Sequence, residues 1–278
     1  APILIDQEGG RVARLGPPHW RAAPPAARFG ELARNDLGKG REAVRLNARL
    51  IAAELHDLGI SVDCIPLLDV PVPGSHDIIG DRAFDGDPVL VAELGRAQAE
   101  GLMDGGVLPV IKHIPGHGRA SADSHESLPV VSASRAALEA QDFVPFKALA
   151  DLPWGMTAHV LYTDLDPESP ATTSHTIIEQ VIRNDIGFRN LLLTDDLSMK
   201  ALKGGLAERA RTSLAAGCDI ALHCNGDLNE MRAVAEGAGR ISDTTIVRLE
   251  NAEALYHTRD RIDFAEAADR LGALLAAA

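Results

Sequence analysis

Val107-Leu108-Pro109-Val110-Ile111, running directly into Lys112-His113-Ile114-Pro115-Gly116-His117-Gly118, decides the fold of this 278-residue chain. The apolar run reads as a buried strand and the Pro/Gly-rich remainder as loop, so Lys112 and His113 fall at the strand's C-terminal end. That end of a parallel strand is where α/β barrels keep their chemistry. Asp123-Ser124-His125 follows in the same loop, so three histidines, a lysine and an aspartate lie close together in sequence.

Working outward, further short apolar runs lie at 3–6, 60–70, 154–160, 191–195 and 219–224, and helical patterns alternate with them at about 41–58, 88–104, 134–150, 174–186 and 206–216. This alternation predicts βα units on a parallel sheet. Asp87-Pro88 reads as an N-cap with proline at the first helical position, and Gly59, Gly187 and Gly217 stand where helices should stop. Weakly amphipathic helices from about 227 onward close the chain in an alanine-rich segment. No repeat or low-complexity linker divides it, so one domain over 1–278 is expected.

Each strand end carries a polar group: Asp6, Asp69, Lys112 with His113, His159, Asp195 with Asp196, and His223 with Asn225. An open doubly wound sheet gathers ligand groups mainly where its strand order reverses, whereas a closed barrel brings every strand end onto one rim. A barrel is therefore expected. The chain enters its first strand at Ala1-Pro2-Ile3 with no methionine and no lead-in, which predicts that sequence carrying at least one further strand precedes it.

Composition narrows the function. At 46% hydrophobic and 24% charged the chain can bury a large core. A net charge of -13 without any basic run argues against a nucleic-acid partner. Cys64, Cys218 and Cys224 match no zinc or redox spacing and read as reduced, buried thiols. No apolar stretch approaches a membrane span and no leader opens the chain, so a cytoplasmic protein without a membrane partner is expected.

Leu191-Leu192-Leu193-Thr194-Asp195-Asp196-Leu197 puts a carboxylate where a buried strand opens, a position suited to a nucleophile or a charge stabiliser. Asp195 is assigned that role; Asp196 is expected to be structural, capping a helix that begins near Leu197. In Asp123-Ser124-His125 a carboxylate can hold an imidazole, and histidine can donate and accept a proton near neutral pH. Residues two apart do not face one another on a helix, so this dyad requires a loop. No Gly-x-Ser-x-Gly elbow supports a serine triad. Zinc held by His113, His117, Asp123 and His125 is the rival reading; a lysine beside the cation and the lack of a His-x-x-x-His pair on a helix weigh against it. Lys112 reads either as a structural ion pair or as a hydrogen-bonding group for a polyhydroxy substrate, and Arg11, Arg14 and Arg82 as surface ion pairs or hydroxyl-binding forks.

Taken together, Ile5-Asp6-Gln7-Glu8-Gly9-Gly10-Arg11-Val12, Gly80-Asp81-Arg82-Ala83-Phe84, the Lys112 to Gly118 run, Asp123-Ser124-His125 and Thr194-Asp195-Asp196-Leu197-Ser198-Met199 closely resemble glycoside hydrolase family 3, and within it the single-domain β-N-acetylglucosaminidases of the NagZ type. The resemblance implies a (β/α)8 TIM-type barrel that lacks here the strand and helix of its first βα unit. It implies removal of terminal β-N-acetylglucosamine with retention, through a covalent glycosyl-enzyme and without a metal or other cofactor. Asp195 would be the nucleophile, His125 the general acid/base and Asp123 its partner, with Asp6, Arg14, Arg82, Lys112 and His113 binding sugar hydroxyls. The implied substrates are muropeptides carrying N-acetylglucosamine linked β-1,4 to anhydro-N-acetylmuramic acid, cleaved in the cytoplasm during peptidoglycan recycling. Ile114 stands where the family commonly has phenylalanine, and His125 replaces the usual carboxylate acid, as is characteristic of this subgroup. A β-glucosidase, a β-xylosidase, a glycoside phosphorylase of the same family, a metal-dependent hydrolase and a non-enzymatic sugar sensor are the competing functions; the intact Asp195 and His125 dyad disfavour the sensor.

Overall fold

The computed structural model describes residues 2–120, 122–256, 260 and 262–276. Its central strand is the decisive run: Leu108–Ile114 is buried at every position. Alternate residues serve opposite faces, Leu108 and Val110 joining Trp154, Met156, Leu191 and Leu193 in one apolar cluster, and Ile111 and Ile114 packing with Phe143, Phe146 and Phe188 in another. A strand covered on both faces has no need of polar alternation, which is why the run is continuously apolar.

Among the described residues seven strands, β1 (Leu4–Ile5), β2 (Val62–Asp63), β3 (Leu108–Ile114), β4 (Val130–Val131), β5 (Trp154–Thr157), β6 (Leu161–Tyr162) and β7 (Leu191–Leu193), form a main parallel sheet in the order β1-β2-β3-β5-β7 and a separate parallel β4-β6 pair. Leu193 bridges to Ile220, so the 219–224 segment continues the main sheet beside β7. The order follows the chain without reversal, as expected of a barrel and not of a doubly wound sheet. What the described residues form is an arc, bounded by β1 on one side and 219–224 on the other, in place of eight closed strands. Ala1 lies outside the described residues.

The expected strand at 60–70 is interrupted at Pro66, which has no N–H to donate. Its ladder to β3 resumes on either side: Lys112 donates to the Pro66 carbonyl at 3.1 Å and Leu68 to the Lys112 carbonyl at 2.7 Å. Helices pack around the sheet: α1 (Ala26–Asn35), α2 (Leu37–Asp57), α3 (Pro88–Asp104), α4 (Arg135–Ala137) running through a wider turn into α5 (Phe143–Ala148), the helical segment Ile177–Asp185, α6 (Leu206–Ala216), α7 (Leu228–Ala238), α8 (Asp243–Glu253) and α9 (Phe264–Ala276). Asp87 caps α3 through the Val89 N–H as expected. The pattern missed α1, which follows two prolines and contains Gly30. A Cβ at Gly30 would meet the Phe84 carbonyl at 1.8 Å, so the glycine serves the close approach of α1 to the segment that carries Arg82. Cys64 and Cys218 are buried thiols as expected, whereas Cys224 is exposed. No helix among the described residues is long and apolar enough to cross a membrane.

Candidate active site

A cavity of about 280 Å³ opens at the C-terminal ends of the strands, and its wall includes Asp6, Arg14, Arg82, Lys112, His113, His125 and Asp195. Seven of the eight residues to which the family resemblance gives roles therefore meet in one place. The eighth, Asp123, stands behind His125.

The floor is an ion cluster. Lys112 Nζ lies 2.6 Å from Glu8 Oε1 and 2.9 Å from Asp6 Oδ1, with the lysine side chain only 2% exposed. Arg82 grips Glu8 with a two-pronged contact, Nε to Oε2 at 2.9 Å and Nη2 to Oε1 at 2.8 Å. Burial pushes the Glu8 pKa up, but Lys112 and Arg82 outweigh it and hold it down to about 2. Burial likewise lowers the Lys112 pKa, yet Glu8 and Asp6 more than compensate and raise it. Arg14, on the rim, reaches Asp6 Oδ2 at 3.4 Å. A register shift between Ile111 and Ile114 locally irregularises β3, the kind of device that re-aims side chains beside sites.

His113 Nδ1 lies 2.7 Å from Asp69 Oδ2, and Asp69 Oδ1 accepts the backbone N–H groups of His113 at 3.2 Å and His117 at 2.6 Å. Asp69 is fully buried. Its pKa is nonetheless lowered, because the two histidines offset desolvation. With Nδ1 fixed, Nε2 of His113 faces Asp195 Oδ2 at 3.9 Å. Asp195 is 7% exposed. Burial favours its neutral form, but His113, His159, the Asp196 N–H and Lys112 together hold its pKa below the ordinary carboxylate value. It stays an anion.

Asp123 and His125 form the predicted loop dyad: Asp123 Oδ1 contacts His125 Nδ1 at 2.8 Å and accepts the His125 backbone N–H at 2.8 Å. The His125 ring is 59% exposed. The loop is tied to the segment that follows Asp195, since Ala201 donates its N–H to the Ser124 carbonyl at 3.2 Å and Ser124 Oγ lies 3.7 Å from Met199 Sδ. Asp196 does the supporting work expected of it, but without the expected helix. Its Oδ1 accepts the N–H groups of Ser198 at 3.0 Å and Cys224 at 3.2 Å, and the next helix, α6, starts only at Leu206.

Among the described residues no three His, Cys, Asp or Glu side chains are placed to share an ion. Sequence reasoning assigned no role to Glu8, Asp69 or His159. Glu8 sits in the quoted Asp6-Gln7-Glu8 motif, and Asp69 and His159 among the strand-end polar groups, so their positions were visible though their partners were not.

Lys112→Ala removes one partner of a buried charge cluster and leaves Asp6 and Glu8 facing each other, a change that typically costs about 3–5 kcal/mol. Urea unfolding should show a loss of that order at unchanged m-value. A loss under about 1 kcal/mol would mean that Arg82 alone neutralises Glu8.

The model of the glycosyl hydrolase family 3 N-terminal domain matches residues 2–251. The chain belongs to glycosyl hydrolase family 3. A β-hexosaminidase of Thiobacillus denitrificans is 39% identical over 231 residues, covering 81% of this chain and 64% of the relative. One of Nitrosospira multiformis is 32% identical over 282 residues, covering 98% of this chain and 80% of the relative. Among solved structures, NagZ from Neisseria gonorrhoeae in complex with N-trifluoroacetyl-D-glucosamine superposes with a TM-score of 0.86 at 33% identity, covering 99% of this chain and 81% of that one. The chain thus spans about 64% of the length of the first of these curated relatives. Family membership agrees with the curled parallel sheet and with the strand-end position of the cavity, where barrels of this family-3 type would carry their site.

Proposed function

We propose that the protein is a retaining exo-β-N-acetylglucosaminidase, with the arc of strands forming part of a single (β/α)8-type barrel. The observation that carries this reading is the meeting, on one cavity, of a buried carboxylate kept ionised by cationic neighbours and a loop-borne histidine backed by its own aspartate. Retaining glycosidases need an anionic nucleophile on one face of the sugar and a proton donor on the other, with an oxocarbenium-like transition state between them.

In this reading Asp195 attacks the anomeric carbon while His125, protonated, gives its proton to the departing glycosidic oxygen. The glycosyl-enzyme ester forms, and neutral His125 then takes a proton from water as that water displaces Asp195. Asp123, accepting from Nδ1, leaves Nε2 as the nitrogen that exchanges the proton. Two displacements at one carbon return the β configuration. Lys112 has three N–H donors and two carboxylate partners, so one donor remains for a sugar hydroxyl. Asp6, Arg14, Arg82 and His113 line the same cavity and complete the hydroxyl contacts. A cavity of about 280 Å³ suits one sugar ring and not an extended chain, which supports action at a chain end. Muropeptides bearing a terminal β-N-acetylglucosamine, processed in the cytoplasm, are the proposed natural substrates.

Because the Asp195 pKa is held below its ordinary value of 3.8, the carboxylate is ionised at every pH above that and is lost only as pH falls through the lowered value. With a substrate whose leaving group needs no proton, kcat/KM should therefore be flat downward to about pH 4 or to the pH of unfolding. A clear acidic limb at about pH 5 or above would contradict an ionised Asp195.

The functional assignment is tested by comparing release of nitrophenol from the β-N-acetylglucosaminide and from the matching β-glucoside and β-xyloside. Turnover of the acetamido sugar alone is expected. Preference for the glucoside or xyloside would replace the sugar assignment, and turnover of none would favour a sugar sensor.

A further inference from the structure

His159 lies just past β5, is fully buried, and does not line the cavity, yet its ring joins two remote segments. Nε2 stands 3.0 Å from the Asp196 carbonyl oxygen and Nδ1 2.7 Å from Thr172 Oγ1. A carbonyl only accepts, so Nε2 carries the hydrogen. Burial disfavours the imidazolium and lowers the His159 pKa, so the ring is neutral and Nδ1 carries no hydrogen. The Thr172 hydroxyl has one proton, for which the Ala158 carbonyl at 3.0 Å competes with Nδ1, and Thr157 Oγ1 lies 2.8 Å from the same hydroxyl. Whichever acceptor takes that proton, Nε2 donates to the Asp196 carbonyl.

We propose that His159 is a positioning residue for the nucleophile, acting through Asp196; the inference rests on the reading of Asp195 given above. Asp196 is pinned at its carbonyl by His159 and at its carboxylate by the Ser198 and Cys224 N–H groups. Its own N–H is thereby aimed at Asp195 Oδ1, 2.8 Å away. That bond engages one oxygen of Asp195, while Oδ2 stands on the side of His113. Which oxygen attacks the sugar, and at what angle, is therefore set by a ring that never touches substrate. The charged and titratable groups around His159 are Asp195, Asp196 and His113.

The two halves of the ring can be separated. In His159→Gln the amide nitrogen replaces Nε2 and keeps the donor to Asp196; in His159→Asn the shorter amide reaches only the Thr172 side. With an activated aryl β-N-acetylglucosaminide, His159→Asn should lower kcat by about 10- to 100-fold, the scale of a small misplacement of a reacting group, with KM nearly unchanged. His159→Gln should restore kcat to within about threefold of the parent. Equal kcat in the two variants, both retained or both lost, overturns the proposal, because a purely structural role would not distinguish them. Should His159→Asn fail to fold, His159→Leu, which keeps bulk but offers Asp196 no donor, carries the test: a fall in kcat relative to His159→Gln at unchanged KM is expected, and equal kcat in these two overturns the proposal. Activity persisting in Asp195→Ala would instead sink the underlying assignment and leaves a separate signature.

Discussion

Asp195→Ala should lower turnover of an aryl β-N-acetylglucosaminide by about 10⁴-fold or more, the scale on which removal of an enzymic nucleophile acts. The size of the effect follows from the cavity. Asp195 is the buried carboxylate to which the Asp196 N–H and His113 are turned, and its charge is maintained by cationic neighbours despite desolvation. The other carboxylates on the cavity wall, Asp6 and Glu8, are already bound to Lys112. Neither is free to take over attack. Alanine also removes a charge on which His113 and Lys112 act, so the loss appears in kcat with at most a modest change in KM. The measurement is steady-state kinetics together with thermal unfolding, to separate lost chemistry from lost fold. A residual rate within about a hundredfold of the parent would place the nucleophile elsewhere.

His125→Ala should produce a loss that depends on the leaving group. General acid catalysis contributes about 10²- to 10⁴-fold when the departing oxygen needs a proton, and little when it leaves as a stable phenolate. Natural-type disaccharides should lose the full factor, whereas a dinitrophenyl glycoside should form the glycosyl-enzyme at nearly the parental rate and then accumulate it, because in the proposed mechanism His125 also serves the water step. A burst of dinitrophenol followed by slow turnover is the expected trace. The exposure of the ring fits this double duty, since the proton it gives up must be replaced and water must reach it. Asp123→Ala should show the same pattern more weakly, as the imidazole remains but loses its orienting partner. Equal losses on both substrate types would remove His125 from the role of acid.

Much of this was readable before any coordinates, and for a definite reason. A strand buried on both faces must be apolar throughout and must turn polar where it reaches the pocket, so Lys112, His113 and Asp195 announce both the sheet and the site. The Asp123–His125 dyad is local, and a spacing of two with a loop around it is enough to find it. Residues whose meaning comes from distant partners were not readable. Glu8 needs Lys112 and Arg82, Asp69 needs His113 and His117, and His159 needs Thr172 and Asp196. Local pattern also misjudged Asp196: a carboxylate before an apolar run suggests a helix cap, but its oxygens are taken by Ser198 and by Cys224 from the next strand segment. The two-residue strands β4 and β6 carry no periodicity at all, and α1 was masked by Pro25 at its entry and Gly30 within it.

The most direct test of a covalent route through Asp195 is trapping. A 5-fluoro N-acetylglucosaminyl fluoride slows both displacements by destabilising the oxocarbenium-like transition state, while its good leaving group spares the first step. Intact-mass analysis should show one added glycosyl unit, and peptide mapping should place it on the peptide containing Asp195, with none in Asp195→Ala. An adduct on any other carboxylate, or rapid turnover to the inverted sugar with no adduct, would contradict the account.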